Sequence, residues 1–369
     1  MFTLQSIQKD TFFLTATEDF VYYKVPGYIE KRQGDEVVWR CAYSPVYGMT
    51  HNKAFVTGGV LCLGNPDDGL TCIDIETGKI VDAQPDLGMY YSLVANQQKI
   101  LTNDYREGVE KTSLYNILTH EIEWAKDGFR NPWPIYDEVF FDCVSNTDGM
   151  FYKLDFSSGK QLATINFKET IDEPREVVTK QLGVYQNHLY LVRNSISVDY
   201  NYCQLFEVAI DTFKIKRTWS NTLFEIPDAG PSLMLYKLSN FLLDAERGRL
   251  IGLVTDYSVS LDLATGEISY KSHKGYNTRN HLNELYSSSW CSLHKGILYS
   301  SSNAMLEKYP RELLTANIAF DLTSDELIWS HVYTEEGRSG IGGGNFPSVT
   351  DTHLYQMDVN DNLFTFKRL

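Results

Sequence analysis

The sequence predicts an all-β protein built as a β-propeller, a closed ring of four-stranded antiparallel sheets, and three observations predict it. One hairpin-like stretch recurs seven times at intervals of about 39 to 59 residues, the spacing of propeller blades. The chain holds 24 tyrosines and 19 phenylalanines, side chains that suit pleated, half-buried surfaces. Its two ends read as parts of one and the same sheet. The 369 residues are therefore taken as a single domain, 1–369, rather than two or three.

The recurring stretches are IEKRQGDEVVW (29–39), DIETGKIVDA (74–83), YNILTHEIEW (115–124), LDFSSGKQLA (154–163), EVAIDTFKIKRTW (207–219), LDLATGEISY (261–270) and FDLTSDELIW (320–329). Each has alternating apolar positions, a polar turn, and a second strand often ending in Trp or Tyr. Gly78, Gly159 and Gly266 fall where such a hairpin needs positive φ, which glycine adopts without a Cβ penalty. His120, Phe213 and Asp325 stand at that place in other copies. Upstream of each hairpin lie two more short strands, such as YSLVA and KILTN before the third copy and SSWCSL and GILYSS before the seventh. Each unit thus has four strands, called A to D from the centre outward. A lone sheet of this kind exposes faces and edges, and repetition around a ring lets neighbouring blades cover them.

The D-x-x-T-G-K/E-x-x-W-like hairpin resembles that of the pyrroloquinoline-quinone-type β-propellers, the quinoprotein-dehydrogenase-like fold, over nearly the whole chain. The resemblance implies a fold and no activity. The chain has neither the adjacent cysteines of many such dehydrogenases nor a C-x-x-C-H haem attachment, so no catalytic residue and no cofactor is carried over, and the chain is placed in a non-enzymatic branch.

After the seventh hairpin, FPSVT, HLYQMD and LFTFKRL supply strands A, B and C of a blade without its D, while FTLQSI at the start has no blade of its own. Pairing these two ends closes the ring and removes two open edges. The count is then eight blades, or seven if one unit is irregular.

Strand alternation sends A–B and C–D turns to one face, and B–C turns and the D–A links between blades to the other. The second face carries the long segments 105–112, 193–202, 220–239, 271–286, 303–316 and 331–346, and long loops on a rigid scaffold carry function. Its aromatic and cationic residues suit interface hot spots, which makes Tyr200, Tyr202, Tyr276, Arg279, His281, Tyr309, Arg311, Arg338 and Phe346 the candidate partner-binding set.

Catalytic signatures are missing. GRSGIGGGNF (337–346) lacks the G-K-[ST] ending of a phosphate loop, DVNDN (358–362) lacks the glycine and bidentate glutamate of a calcium loop, and no H-E-x-x-H or G-x-S-x-G occurs. No metal or cofactor is expected. The six cysteines are scattered singly and read as reduced core thiols, and no signal-like stretch or apolar run of 18 residues occurs, which reads as a cytoplasmic protein. With 33 Lys and Arg against 48 Asp and Glu, the net charge of −15 repels nucleic acid and anionic lipid and steers a basic partner. The expectation is a non-enzymatic protein-binding propeller, monomeric when free, of the kind that neutralises a basic toxin or effector. The alternatives are a lyase or hydrolase with its site in the central channel, and a scaffold resembling the outer-membrane assembly propeller.

Overall fold

The computed structural model describes residues 1–43, 54–65, 69–85, 87, 91–94, 98–106, 109–129, 136–143, 149–171, 177–195, 203–220, 241–286, 291–304, 314–334, 347–358 and 362–369. They form eight antiparallel blades. Blade 1 runs Phe12–Ala16, Val21–Val25, Tyr28–Gln33 and Glu36–Ala42. Blade 2 is Ala54–Thr57, Val60–Asn65, Gly69–Asp74 and Ile80–Gln84, and blade 3 is Tyr91–Val94, Lys99–Arg106, Val109–Asn116 and Glu121–Asp127. Blade 4 has three described strands, Val139–Asp142, Met150–Asp155 and Gln161–Asn166. Blade 5 is Val177–Tyr185, His188–Ser195, Cys203–Ala209 and Lys214–Ser220. Blades 6 and 7 are Leu242–Asp244, Arg249–Thr255, Tyr257–Asp262 and Ile268–Ser272, then Ser292–His294, Ile297–Ala304, Leu314–Asp321 and Glu326–Val332.

The eighth blade joins the chain ends. Ser348–Val349, His353–Met357 and Leu363–Arg368 are its strands A to C, and Phe2–Gln8 is its strand D, paired from Phe2↔Arg368 to Gln8↔Leu363. The blade count is settled by the core. Successive residues of a strand point to opposite sides, so each sheet feeds two interfaces. Leu61 and Leu63 pack on Tyr22 and Ile29 of blade 1, while Cys62 packs on Ile100 and Tyr115 of blade 3. The same arrangement repeats around the ring, ending with Phe13 and Tyr23 of blade 1 on Tyr355, Met357 and Leu363 of blade 8.

All seven expected hairpins are C–D pairs. Six of these turns, those of blades 2 to 7, share one backbone device. After the last residue of strand C the chain makes a turn closed by a left-handed residue, as in Gly78 N–H to Asp74 O at 2.9 Å and Gly266 N–H to Asp262 O at 2.8 Å. The non-glycine copies keep the conformation, with φ of 60° at His120, 49° at Phe213 and 53° at Asp325. For Phe213 this costs about 1–2 kcal/mol, and burial of its ring against Phe141 and Phe151, centroids 6.0 Å from each, offsets it.

The turn also fastens neighbouring blades. The carbonyl just past strand C bulges away from its own sheet and accepts a donor from the preceding blade. Trp39 Nε1 and Lys31 Nζ both donate to Ile75 O, at 2.9 and 2.8 Å. Trp124 Nε1 donates to Phe156 O at 3.0 Å, Lys153 Nζ to Ile210 O at 2.9 Å, Arg217 to Leu263 O, and Arg249 Nη2 to Leu322 O at 2.5 Å. Between blades 2 and 3 an acid takes over: Asp82 accepts from Tyr115 Oη and lies 3.3 Å from His120 Nδ1. Between blades 7 and 8, Trp329 Nε1 reaches Phe2 O at 3.0 Å, so the closing strand is held by a side chain as well as by its ladder.

The indole rings lie flat on the turn glycines, and a Cβ on Gly78 would sit 2.7 Å from the Trp39 ring. Gly27, at φ +80°, has nothing within 4 Å of such a Cβ. Gly27→Ala therefore measures the backbone cost alone, about 1 kcal/mol. Gly78→Ala adds displacement of Trp39 and should cost about 1–3 kcal/mol more in urea unfolding; equal costs would mean the ring does not bear on the turn.

Candidate binding face

Among the described residues, the chain departs from its repeat between blades 6 and 7. Their innermost strands have three residues each and pair only with Arg249–Ile251 and Ile297–Tyr299, which leaves the upper inner edges of both B strands uncovered. The link between the blades supplies the missing pairing. Leu282–Tyr286 forms a strand whose Leu285 and Tyr286 pair with Thr255 and Val254 of blade 6, while Leu282 and Glu284 pair with Ala304 and Asn303 of blade 7. Leu282 and Leu285 are buried in the core shared by the two blades, which anchors the strand hydrophobically.

The short helix Lys274–Arg279 precedes it, and its entry is fixed by polar contacts. His273 N–H donates to Asp256 O at 2.6 Å, its Nε2 lies 2.9 Å from Ser258 Oγ, and Asn277 Nδ2 donates to Asp256 Oδ1 at 2.6 Å. His281, at φ 58°, turns the chain from helix into strand. Segment 271–286 is thus not the irregular loop expected from its composition, because the shortened inner strands offer it two sheet edges. Strand pairing also claims most of segment 105–112, where Tyr105↔Glu110 and Arg106↔Val109 continue the ladder. Strand pairing likewise claims Arg193–Ser195 in 193–202 and both ends of 303–316.

Of the nine candidate residues, three are described and all three sit on this stitch. Tyr276 is half-buried against the blade 6–7 core; burial raises its hydroxyl pKa, and it hydrogen-bonds Ser330. Its ring anchors the segment. Arg279 and His281 are exposed on the same face. Tyr200, Tyr202, Tyr309, Arg311, Arg338 and Phe346 lie outside the described residues, as does the glycine-rich stretch 337–346.

The opposite face, made by A–B and C–D turns, is acidic. Asp74, Asp155, Asp262 and Asp321 end strand C in four blades and cap their own turns, as in Asp74 Oδ1 accepting from Thr77 N–H and Oγ1, both at 2.7 Å. These bonds favour the ionised carboxylate and lower the pKa of Asp74, Asp155 and Asp262; burial opposes the same turn bonds at Asp321, and the net shift is also down. Such capping predicts a rim of permanent negative charge on this face. Asp358 and Asn362 of the calcium-like stretch instead bond each other, with Asn362 Nδ2 donating to Asp358 Oδ2 at 2.7 Å. Among the described residues no group of three His, Cys, Asp or Glu side chains is placed to hold a metal. Five cysteines are buried, and Cys62 and Cys72 meet across a strand pair with sulfurs 3.9 Å apart. Near the axis, burial lowers the Lys180 pKa and raises that of Cys291 to about 11.

No protein-family model and no curated protein matches the chain. Solved structures do match over its whole length. BamB from Moraxella catarrhalis is 13% identical with TM-score 0.55, covering 100% of both chains. Saccharomyces cerevisiae Sqt1 is 8% identical with TM-score 0.63, covering 100% of this chain and 98% of that one. A europium-containing methanol dehydrogenase is 10% identical with TM-score 0.59, covering 100% and 93%. At such identities the likeness concerns the fold alone, a β-propeller.

The buried His273 makes the stitch pH-sensitive. Burial holds its pKa below the ordinary value, against the opposing pull of Glu326, Asp325 and Asp256 and with help from Lys271. The unfolded chain therefore takes up a proton near pH ~6.5 that the folded one resists. Stability is complete above that pH and falls as pH drops through it, and His331 and His353 act in the same direction. His273→Gln, which retains a polar partner for Ser258, should make the fall in urea midpoint between about pH 7 and 5 shallower. An unchanged slope would show that His273 is not protonated on unfolding.

Proposed function

We propose that this chain is a non-enzymatic, cytoplasmic, protein-binding propeller whose partner is basic, with the stitched face of blades 6 and 7 as the docking platform. The single observation that carries this reading is the segment 273–286. The chain leaves its repeat here, yet the backbone is held by two sheet edges and a buried core, and Arg279 and His281 stand exposed on that support. A platform already in its bound shape loses little conformational freedom on association, which is how rigid scaffolds gain affinity. The net charge of −15 favours fast encounter with a positively charged partner. A basic toxin or effector, neutralised by the free monomer, is the partner class these charges fit.

The test is affinity capture with the tagged protein, with partners identified by mass spectrometry. The wild type should retain a basic protein, and the Arg279→Ala, His281→Ala double variant, which removes the side-chain contacts without adding an acid, should weaken its capture by about tenfold or more with the unfolding midpoint unchanged. Capture indifferent to that double variant would remove this face from the proposal.

A further inference from the structure

The junction between blades 8 and 1 is built differently from its neighbours. Strand C of blade 1 passes to strand D through the two-residue turn Gly34–Asp35, with Gln33 paired to Glu36, so it has no bulged carbonyl for a preceding blade to grip. The closing strand Phe2–Gln8 carries no tryptophan. Its register shifts between Leu4 and Ser6, leaving Gln5 out of the ladder. A cleft of about 260 Å³ opens at this junction, and Gln5 lines it.

The two walls of the cleft differ in charge. The blade 1 wall presents the exposed acids Glu18, Asp19 and Asp35. The blade 8 wall presents the exposed Lys367 beside His353, whose pKa is lowered by burial and by the Lys367 charge, so Lys367 is the cation on that side. Between the walls lie the buried rings of Tyr23 and Tyr355, which hydrogen-bond each other. The Tyr23 hydroxyl pKa is raised, first by burial and then by Tyr355, against the opposing pull of Arg32, with a smaller addition from the Asp35 charge. Arg32 stands over the Tyr23 ring at 5.2 Å, already paired with Glu30.

We propose that this cleft binds a small zwitterion with an excess of positive charge, of the arginine and lysine class. The cationic groups of the ligand face Asp19 and Asp35, its carboxylate faces Lys367, and its stem lies over the tyrosines. The volume is below the ~300–1,000 Å³ of ordinary drug-sized sites, which limits the occupant to about the size of one amino acid. Three carboxylates against one available lysine select a ligand with more cation than anion. The exposed side-chain amide of Gln5 offers both a donor and an acceptor at the rim.

Calorimetric titration with L-arginine, agmatine and L-glutamate tests this. L-arginine should bind saturably at concentrations below about 10 mM, L-glutamate should not, and agmatine, which lacks the carboxylate, should bind about tenfold more weakly than arginine. Lys367→Met should erase the difference between arginine and agmatine, and Asp35→Asn should weaken both. Both substitutions are at exposed positions, and thermal unfolding confirms that the variants are folded. No saturable heat with arginine, or arginine binding that survives both substitutions unchanged, overturns the proposal.

Discussion

The structure depends on a backbone carbonyl that swings outward just after strand C, in blades 2, 4, 5, 6 and 7. A sheet interior satisfies its polar groups within the ladder, but this carbonyl leaves the ladder and needs a donor from elsewhere. The preceding blade provides it from Trp39, Trp124, Lys153, Arg217 or Arg249. A hydrogen bond from a charged donor contributes about 1.5–3 kcal/mol, and here it also fixes how far one blade turns from the next. The left-handed residue at the end of the turn is part of the same device, since it lets the chain return to strand D while the carbonyl points away. Apolar burial supplies most of the stability between blades, but it is non-directional. The donors give it direction.

A ring made this way must close, and the closing blade is the one assembled from both ends of the chain. Phe2–Gln8 completes the eighth sheet, and its first carbonyl receives Trp329. Between blades 2 and 3 a different contact stands in its place, an acid meeting Tyr115 and His120. Blade 1 alone has the short turn, and there the contact with blade 8 rests on Phe13, Tyr23, Tyr355, Met357 and Leu363 and leaves a polar cleft above them. A second departure, the short inner strands of blades 6 and 7, creates sheet edges that the linking segment fills. Both candidate sites thus arise where the repeat gives way.

Much of the fold was legible because it rests on local chemistry. The seven hairpins announce themselves through alternation and turn residues, and the surplus strands at the two ends leave one arrangement that hides every edge. His120, Phe213 and Asp325 were recognisable as occupants of the glycine position, although their left-handed conformation depends on tertiary support, most plainly for Phe213. The inter-blade donors were not legible, since tryptophan, lysine and arginine on different strands perform one task and share no sequence pattern. The stitch was read as a loop because its composition is polar, and nothing local reveals that Leu242–Asp244 and Ser292–His294 stop short and leave edges for it. Loop length drew attention to one face, while the capping aspartates that make the other face acidic look like ordinary turn residues. The cleft was invisible for a similar reason: it joins the first and last blades of the chain.

Closure of the ring by the terminal strand is tested most directly by a cross-link between its two ends. Thr3 and Lys367 are paired across the closing ladder and both are exposed, which places their Cα atoms within reach of a disulfide. In the Thr3→Cys, Lys367→Cys double variant, mild oxidation should give a covalently circular monomer that migrates faster on a non-reducing gel. Its unfolding midpoint should rise, and reduction should reverse the change. Two thiols that stay freely reactive in the folded monomer after oxidation would contradict the account.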